Sequence, residues 1–80
     1  MDRTVGASID AYVVLLIEHS GDVIRDFPEL LVVVRKKLSV MRMDFQKRGA
    51  SREAISRLDE FIYTLDVEIA MRLNPSNGRH

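Results

Sequence analysis

The sequence predicts an all-α fold: an antiparallel two-helix hairpin over about residues 27–48 and 52–73, with a shorter N-terminal helix over about 8–19. Such a set closes as a three-helix bundle or as a dimeric helical bundle. Three observations predict it. Apolar residues recur at alternating three- and four-residue spacings through two long segments, the repeat that lays one stripe along a helix. Between those segments sits Gly49-Ala50-Ser51, a link so short that the helices it joins become antiparallel neighbours. No second segment outside these helical patterns offers a strand partner to the first apolar run.

In chain order, residues 1–7 show no periodic pattern and are expected to be flexible. Residues 9–17 are apolar almost all round, and their β-branched content suits a buried strand as well as a buried helix. The helix is preferred, with Ser8 as its cap and Ser20-Gly21 as its end. The apolar run at 11–17 is far shorter than the roughly 20 residues that cross a bilayer. Asp10 precedes it and no small-residue cleavage site follows, so it reads as core rather than as a signal peptide.

The middle helix carries Phe27, Leu31, Val34, Leu38, Met41 and Phe45 on one face. Asp26-Phe27-Pro28-Glu29 reads as a capping box with proline in the first turn, where its missing N–H costs nothing. Lys47 and Arg48 suit the C-terminal end of the helix dipole, and Gly49 supplies the stop. The last helix opens on Ser51 as N-cap, with Glu53 in the first turn. It carries Ile55, Leu58, Ile62, Leu65 and Ile69 on one face. Asn74-Pro75 ends it, because the residue before proline is pushed out of the α region. Residues 74–80 are rich in turn formers and are expected to be flexible.

At 80 residues the chain is one small domain with little surface to bury. Chains of this size usually draw support from disulfides, a metal or a partner. There is no cysteine, and the only histidines are His19 and His80, so a partner or a second copy is the support that remains. The lack of cysteine fits a cytoplasmic setting.

Each hairpin helix also has more apolar surface than one seam needs. Tyr63, Val67 and Met71 form a stripe opposite the Ile55–Ile69 seam, and Val33 and Val40 lie away from the Leu31–Phe45 seam. Either the first helix covers these stripes, which are then core, or they are a protein interface. The second is expected, on the ground that a first helix of about three turns is too short to cover both. Met41, Met43 and Met71 add adaptable side chains to either outcome.

Nothing converges on catalysis. His19 reads as a cap at the end of the first helix, and Asp59-Glu60 and Asp66/Glu68 point to different helix faces rather than forming a dyad. No phosphate loop or metal spacing is present, so no enzyme activity, cofactor, metal or small-molecule substrate is expected.

Net charge is zero, yet the basic residues gather in the middle: Arg35, Lys36, Lys37, Arg42, Lys47, Arg48 and Arg52. On one ridge they would bind phosphates. At about 100° per residue they spread around the solvent arc instead, and no aromatics alternate with them to stack bases. Pairing with Asp59, Asp66 or Glu68 across the hairpin is the preferred role. A dimeric regulator using Arg35, Lys36, Arg42, Lys47, Arg48 and Arg52 on nucleic acid is the alternative.

Arg48-Gly49-Ala50, Glu53, Leu65-Asp66 and Ile69 are similar to the turn and second helix of the small helical-hairpin co-chaperones that hold the needle subunit of type III secretion systems. That resemblance implies a helical hairpin that binds a protein subunit, and no functional residue is carried over from it. The expected function is a non-enzymatic protein-binding module, an adaptor, co-chaperone or inhibitor. It would present Val33, Val40, Tyr63, Val67 and Met71 to a protein partner or to its own copy, with no membrane partner.

Overall fold

The structure, a computed structural model, describes residues 2–73 and the side chains of residues 7–73. Met1 and residues 74–80, including the expected flexible tail, lie outside the described residues. Three α-helices and one short 3-10 turn account for the rest, with no strand among the described residues. They are α1 (Asp2–Asp26), α2 (Leu31–Lys47) and α3 (Arg52–Leu73), with the 3-10 turn at Pro28–Leu30 between the first two.

The hairpin follows local chemistry closely. At the end of α2 the Ala50 N–H donates to the Phe45 carbonyl at 3.0 Å and the Gly49 N–H to Gln46 at 3.3 Å. This is the Schellman pattern, which satisfies carbonyls that have no partner inside the helix. It requires a left-handed residue, and Gly49 supplies it with φ +98°. Two residues later the Ser51 hydroxyl accepts from the Ala54 N–H at 3.0 Å, so the expected N-cap forms. From α3, Ile55, Leu58, Ile62 and Leu65 are buried, with Ala54 beside them, against Leu31, Leu38 and Phe45 of α2. Val34, Met41 and Ile69 are partly buried against this core. The two predicted seams are the hairpin interface.

The first helix departs from expectation at both ends. The run at residues 9–17 is helical, which settles the helix-or-strand question. Yet α1 begins at Asp2 rather than at Ser8. It also passes through Ser20-Gly21 without stopping and ends at Asp26, which makes it the longest helix, at 25 residues, rather than the shortest. A single glycine inside a helix costs only about 0.5–1 kcal/mol relative to alanine. The packing of Ser20 and Ile24 on either side of Gly21 outweighs that. His19 is therefore exposed in mid-helix, not a cap at a helix end.

The real break is at proline. Phe27 sits at φ −132° and ψ 74°, outside the α region, as a residue before proline must. The middle helix thus starts at Leu31, not at 27, and Phe27 is 52% exposed in the linker instead of opening the seam. The expected capping box does not form either. Asp26 belongs to α1 and contacts Arg25 at 3.6 Å, and neither the 3-10 turn nor α2 has a side-chain N-cap. The linker is held from elsewhere: Arg72 Nη1 on α3 donates to the Pro28 carbonyl at 3.1 Å.

Helix α1 runs antiparallel to α2 and packs on both hairpin helices, giving a three-helix bundle. It buries Val13 and Ser20, with Ile9, Leu16, Ile17 and Ile24 partly buried beside them. The most deeply buried side chains are Val13, Leu38 and Leu58, one from each helix, at 0–1% exposure. Truncating Leu58 to alanine should cost about 2–5 kcal/mol, comparable to the whole stability of so small a domain. Loss of cooperative thermal unfolding followed by circular dichroism would show it. The two glycines give opposite expectations. A Cβ at Gly21 meets nothing within 4 Å, so Gly21→Ala should raise stability by about 0.5–1 kcal/mol. Gly49→Ala meets no clash either, but the left-handed backbone should lower stability by about 1–2 kcal/mol. Denaturant titration of both variants checks the signs.

Candidate protein-interaction surface

The side of the hairpin that α1 occupies is marked by grooves along both of its contacts. Between α1 and α2, Ile9, Tyr12, Met41 and Phe45 floor a groove of about 570 Å³ whose rim includes Asp44 and Arg48. Inside it the Tyr12 and Phe45 rings meet edge to face, with centroids 5.8 Å apart. Between α1 and α3, Asp10 and Val14 face Ser51, Ala54 and Arg57. Asp10 ties the two helices together, because its carboxylate accepts the Ser51 N–H at 2.9 Å. An acid from α1 thereby sits at the N-terminus of α3, where the helix dipole favours negative charge. The backbone N–H and then the hydroxyl of Ser51 hold the Asp10 carboxyl below the ordinary aspartate value of 3.8.

The opposite side of the hairpin carries two ion pairs in a repeating arrangement. Arg35 grips Asp66 in bidentate fashion, Nε to Oδ1 at 2.5 Å and Nη2 to Oδ2 at 3.0 Å. One heptad along, Arg42 grips Asp59 in the same way, at 2.7 and 3.0 Å. Each arginine also donates to the residue one turn ahead, Ser39 at 3.1 Å and Gln46 at 2.9 Å. The expectation of cross-hairpin pairing therefore holds for Asp59 and Asp66. Glu68 pairs instead with Arg72 of its own helix. The arginine hydrogen bonds push both aspartates below 3.8 and raise both guanidinium groups.

These pairs rearrange the basic cluster. Arg35 and Arg42 are engaged across the hairpin, and Arg48 contacts Asp44 at 2.8 Å. Lys36, Lys47 and Arg52, like Lys37, are exposed with no ion-pair partner among the described residues. Lys36 and Lys47 lie on the outer edge of α2, whereas Arg52 opens α3.

The two apolar stripes stay open. Val33, Val40, Tyr63, Val67 and Met71 are 50%, 70%, 68%, 41% and 65% exposed. The reason differs from the expected one. Helix α1 is long enough to reach them but lies over a different side of the hairpin, guided by its own Ile9–Val13–Leu16–Ile24 stripe. At about 100° per residue, Val33 and Val40 point away from α3, and Tyr63, Val67 and Met71 point away from α2. They form two separate outer edges of the hairpin.

Sequence reasoning named Met43 only as an adaptable side chain and did not place it on the α2 stripe, where it is 60% exposed. It lies three residues beyond Val40, so extending the stripe by the same repeat would have found it. It also missed Tyr12 and Leu15 on α1, where an all-round apolar run hides which face is outward. Among the described residues no group of histidine, aspartate and glutamate side chains is placed to hold a metal ion. No described helix is long and apolar enough to cross a membrane. The chain matches no protein-family model, no curated protein and no solved structure.

The three depressed aspartates set a pH dependence. Because Asp10, Asp59 and Asp66 all lie below 3.8 when folded, the unfolded chain binds protons more readily as acid is added. Their contribution is present above 3.8 and is lost as pH falls through the lower folded values. The melting temperature should hold steady down to about pH 4 and drop below it. An Asp59→Asn/Asp66→Asn double variant should melt lower at neutral pH and show a shallower acid decline.

Proposed function

We propose that this chain is a non-enzymatic protein-binding module, a small adaptor, co-chaperone or inhibitor that presents the outer edges of its hairpin helices to a helical partner. One observation carries this reading: the core is complete without the outer stripes. Leu31, Leu38 and Phe45 meet the α3 seam, Val13 closes the third side, and Val33, Val40, Tyr63, Val67 and Met71 remain in solvent. Apolar side chains at helical spacing on an exposed face are how one helix recognises another, and each outer edge carries such a stripe. The alternative use of the basic residues on nucleic acid is weakened because Arg35, Arg42 and Arg48 already hold carboxylates.

The test is co-purification from the native host with quantitative mass spectrometry, comparing the wild type with Tyr63→Asp and Val67→Asp. Both variants should keep wild-type helicity, because the side chains are exposed, and should lose a protein, or a second copy, that the wild type retains. Recovery of the same proteins by wild type and variants would remove the outer edge of α3 from function. A complex that dissolves steeply between low and moderate salt would point to phosphate contacts rather than apolar helix packing.

A further inference from the structure

The outer edges are more than apolar. On α2 the outward line is Val33, Lys36, Val40, Met43 and Lys47, and on α3 it is Glu53, Ser56, Glu60, Tyr63 and Val67. Every one of these ten side chains is exposed. Both lines step by alternating three and four residues, so each hairpin helix has a second seam directly opposite its first. Their charges differ: the α2 line holds two lysines and no acid, and the α3 line two glutamates and no base.

We propose that the occupant of each edge is a second copy of this chain, the α2 edge of one copy docking on the α3 edge of the next. This rests on the protein-binding reading above and names its partner. Register supports it. Inside the hairpin the antiparallel alignment sets Arg35 against Asp66 and Arg42 against Asp59. Between copies, the same antiparallel sense slid by one residue sets Lys47 against Glu53, Val40 against Glu60 and Val33 against Val67. It also brings Lys36 to Tyr63, a cation over an aromatic ring, and places Lys36 within one turn of Glu60. The spacings of the two lines interlock along their whole length. Charge decides the symmetry. Joining two α2 edges would oppose lysines, and joining two α3 edges would oppose glutamates, so unlike edges attract and like edges repel. Docking of unlike edges is heterologous, and it grows into a ring or a filament instead of stopping at two copies. Both lines are exposed with α1 in place, and of their residues Glu53 also borders the groove between α1 and α3.

The experiment is mass measurement by sedimentation across a micromolar-to-millimolar series of the full chain, with Val40→Asp, Val67→Asp and their equimolar mixture. The wild type should pass beyond two copies as concentration rises. Each variant alone should stay at the single-chain mass with unchanged circular dichroism. In the mixture, the intact α3 edge of Val40→Asp meets the intact α2 edge of Val67→Asp, so a one-to-one dimer should form and stop there. A wild type that stays monomeric, a wild type that closes at two copies, or a mixture that stays monomeric overturns the proposal. A monomeric wild type whose co-purifying protein is still lost in Val67→Asp overturns self-docking alone and leaves the protein-binding reading standing. If Val40→Asp or Val67→Asp unfolds, Lys47→Glu and Glu53→Lys replace them. Each should then be monomeric alone, and a double variant carrying both should regain assembly.

Discussion

The layer formed by Val13, Leu38 and Leu58 is where the three helices have their most deeply buried side chains, and the rest of the molecule is arranged around it. A two-helix hairpin cannot enclose its own seam, because each helix leaves one flank of the interface open to water. Val13 closes that flank on one side, with Ile9, Leu16 and Ile24 extending the cover along α1. On the other flank the hairpin is closed by Arg35–Asp66 and Arg42–Asp59, whose aliphatic stems and paired charges face water without α1. One flank is sealed by apolar packing, the other by a ladder of bidentate ion pairs.

That asymmetry gives the hairpin a polarity. Across the ladder the base is always on α2 and the acid on α3, and the same assignment repeats on the two outer edges. Charges at the flanks of a helical seam select partner and alignment more than they add stability. Here the ladder favours the alignment that also puts the hydrophobic seams in phase. Asp10 acts similarly at longer range, because its bond to the Ser51 N–H matches α1 to the start of α3. Arg72 does so at the other end, through the Pro28 carbonyl. The three helices are thus tied by polar contacts at both ends and by apolar packing between.

The surface that remains follows from how much apolar periodicity the chain carries. Both hairpin helices have two seams and α1 can cover only one side. A helix can carry opposed seams only if something else meets the second one or if solvent is left to wet it. Val40, Tyr63 and Met71 are each at least 65% exposed, which is an unusual place for an apolar stripe in a domain with so little core. This is why an interface is the natural reading of those edges.

Much of this fold is legible in the sequence by itself. The 3-4 seams of the hairpin, the Gly49 stop and the Ser51 cap depend on residues a few positions apart, and helix geometry makes such patterns readable before folding. The pairing of Arg35 and Arg42 with aspartates was also readable, because flank positions of a known seam have few partners. The extent of α1 was not. Gly21 carries the local sign of a helix end, but the packing of Ser20 and Ile24 beside it outweighs so small a local preference. Nor could local pattern show that Asp10 would serve a helix forty-one residues away, or that Phe27 would leave the seam at a proline. The sequence determined which faces are apolar and where the hairpin turns. Only the tertiary structure decided which side α1 covers, because that choice is made by long-range packing, and with it which apolar edges are left outside.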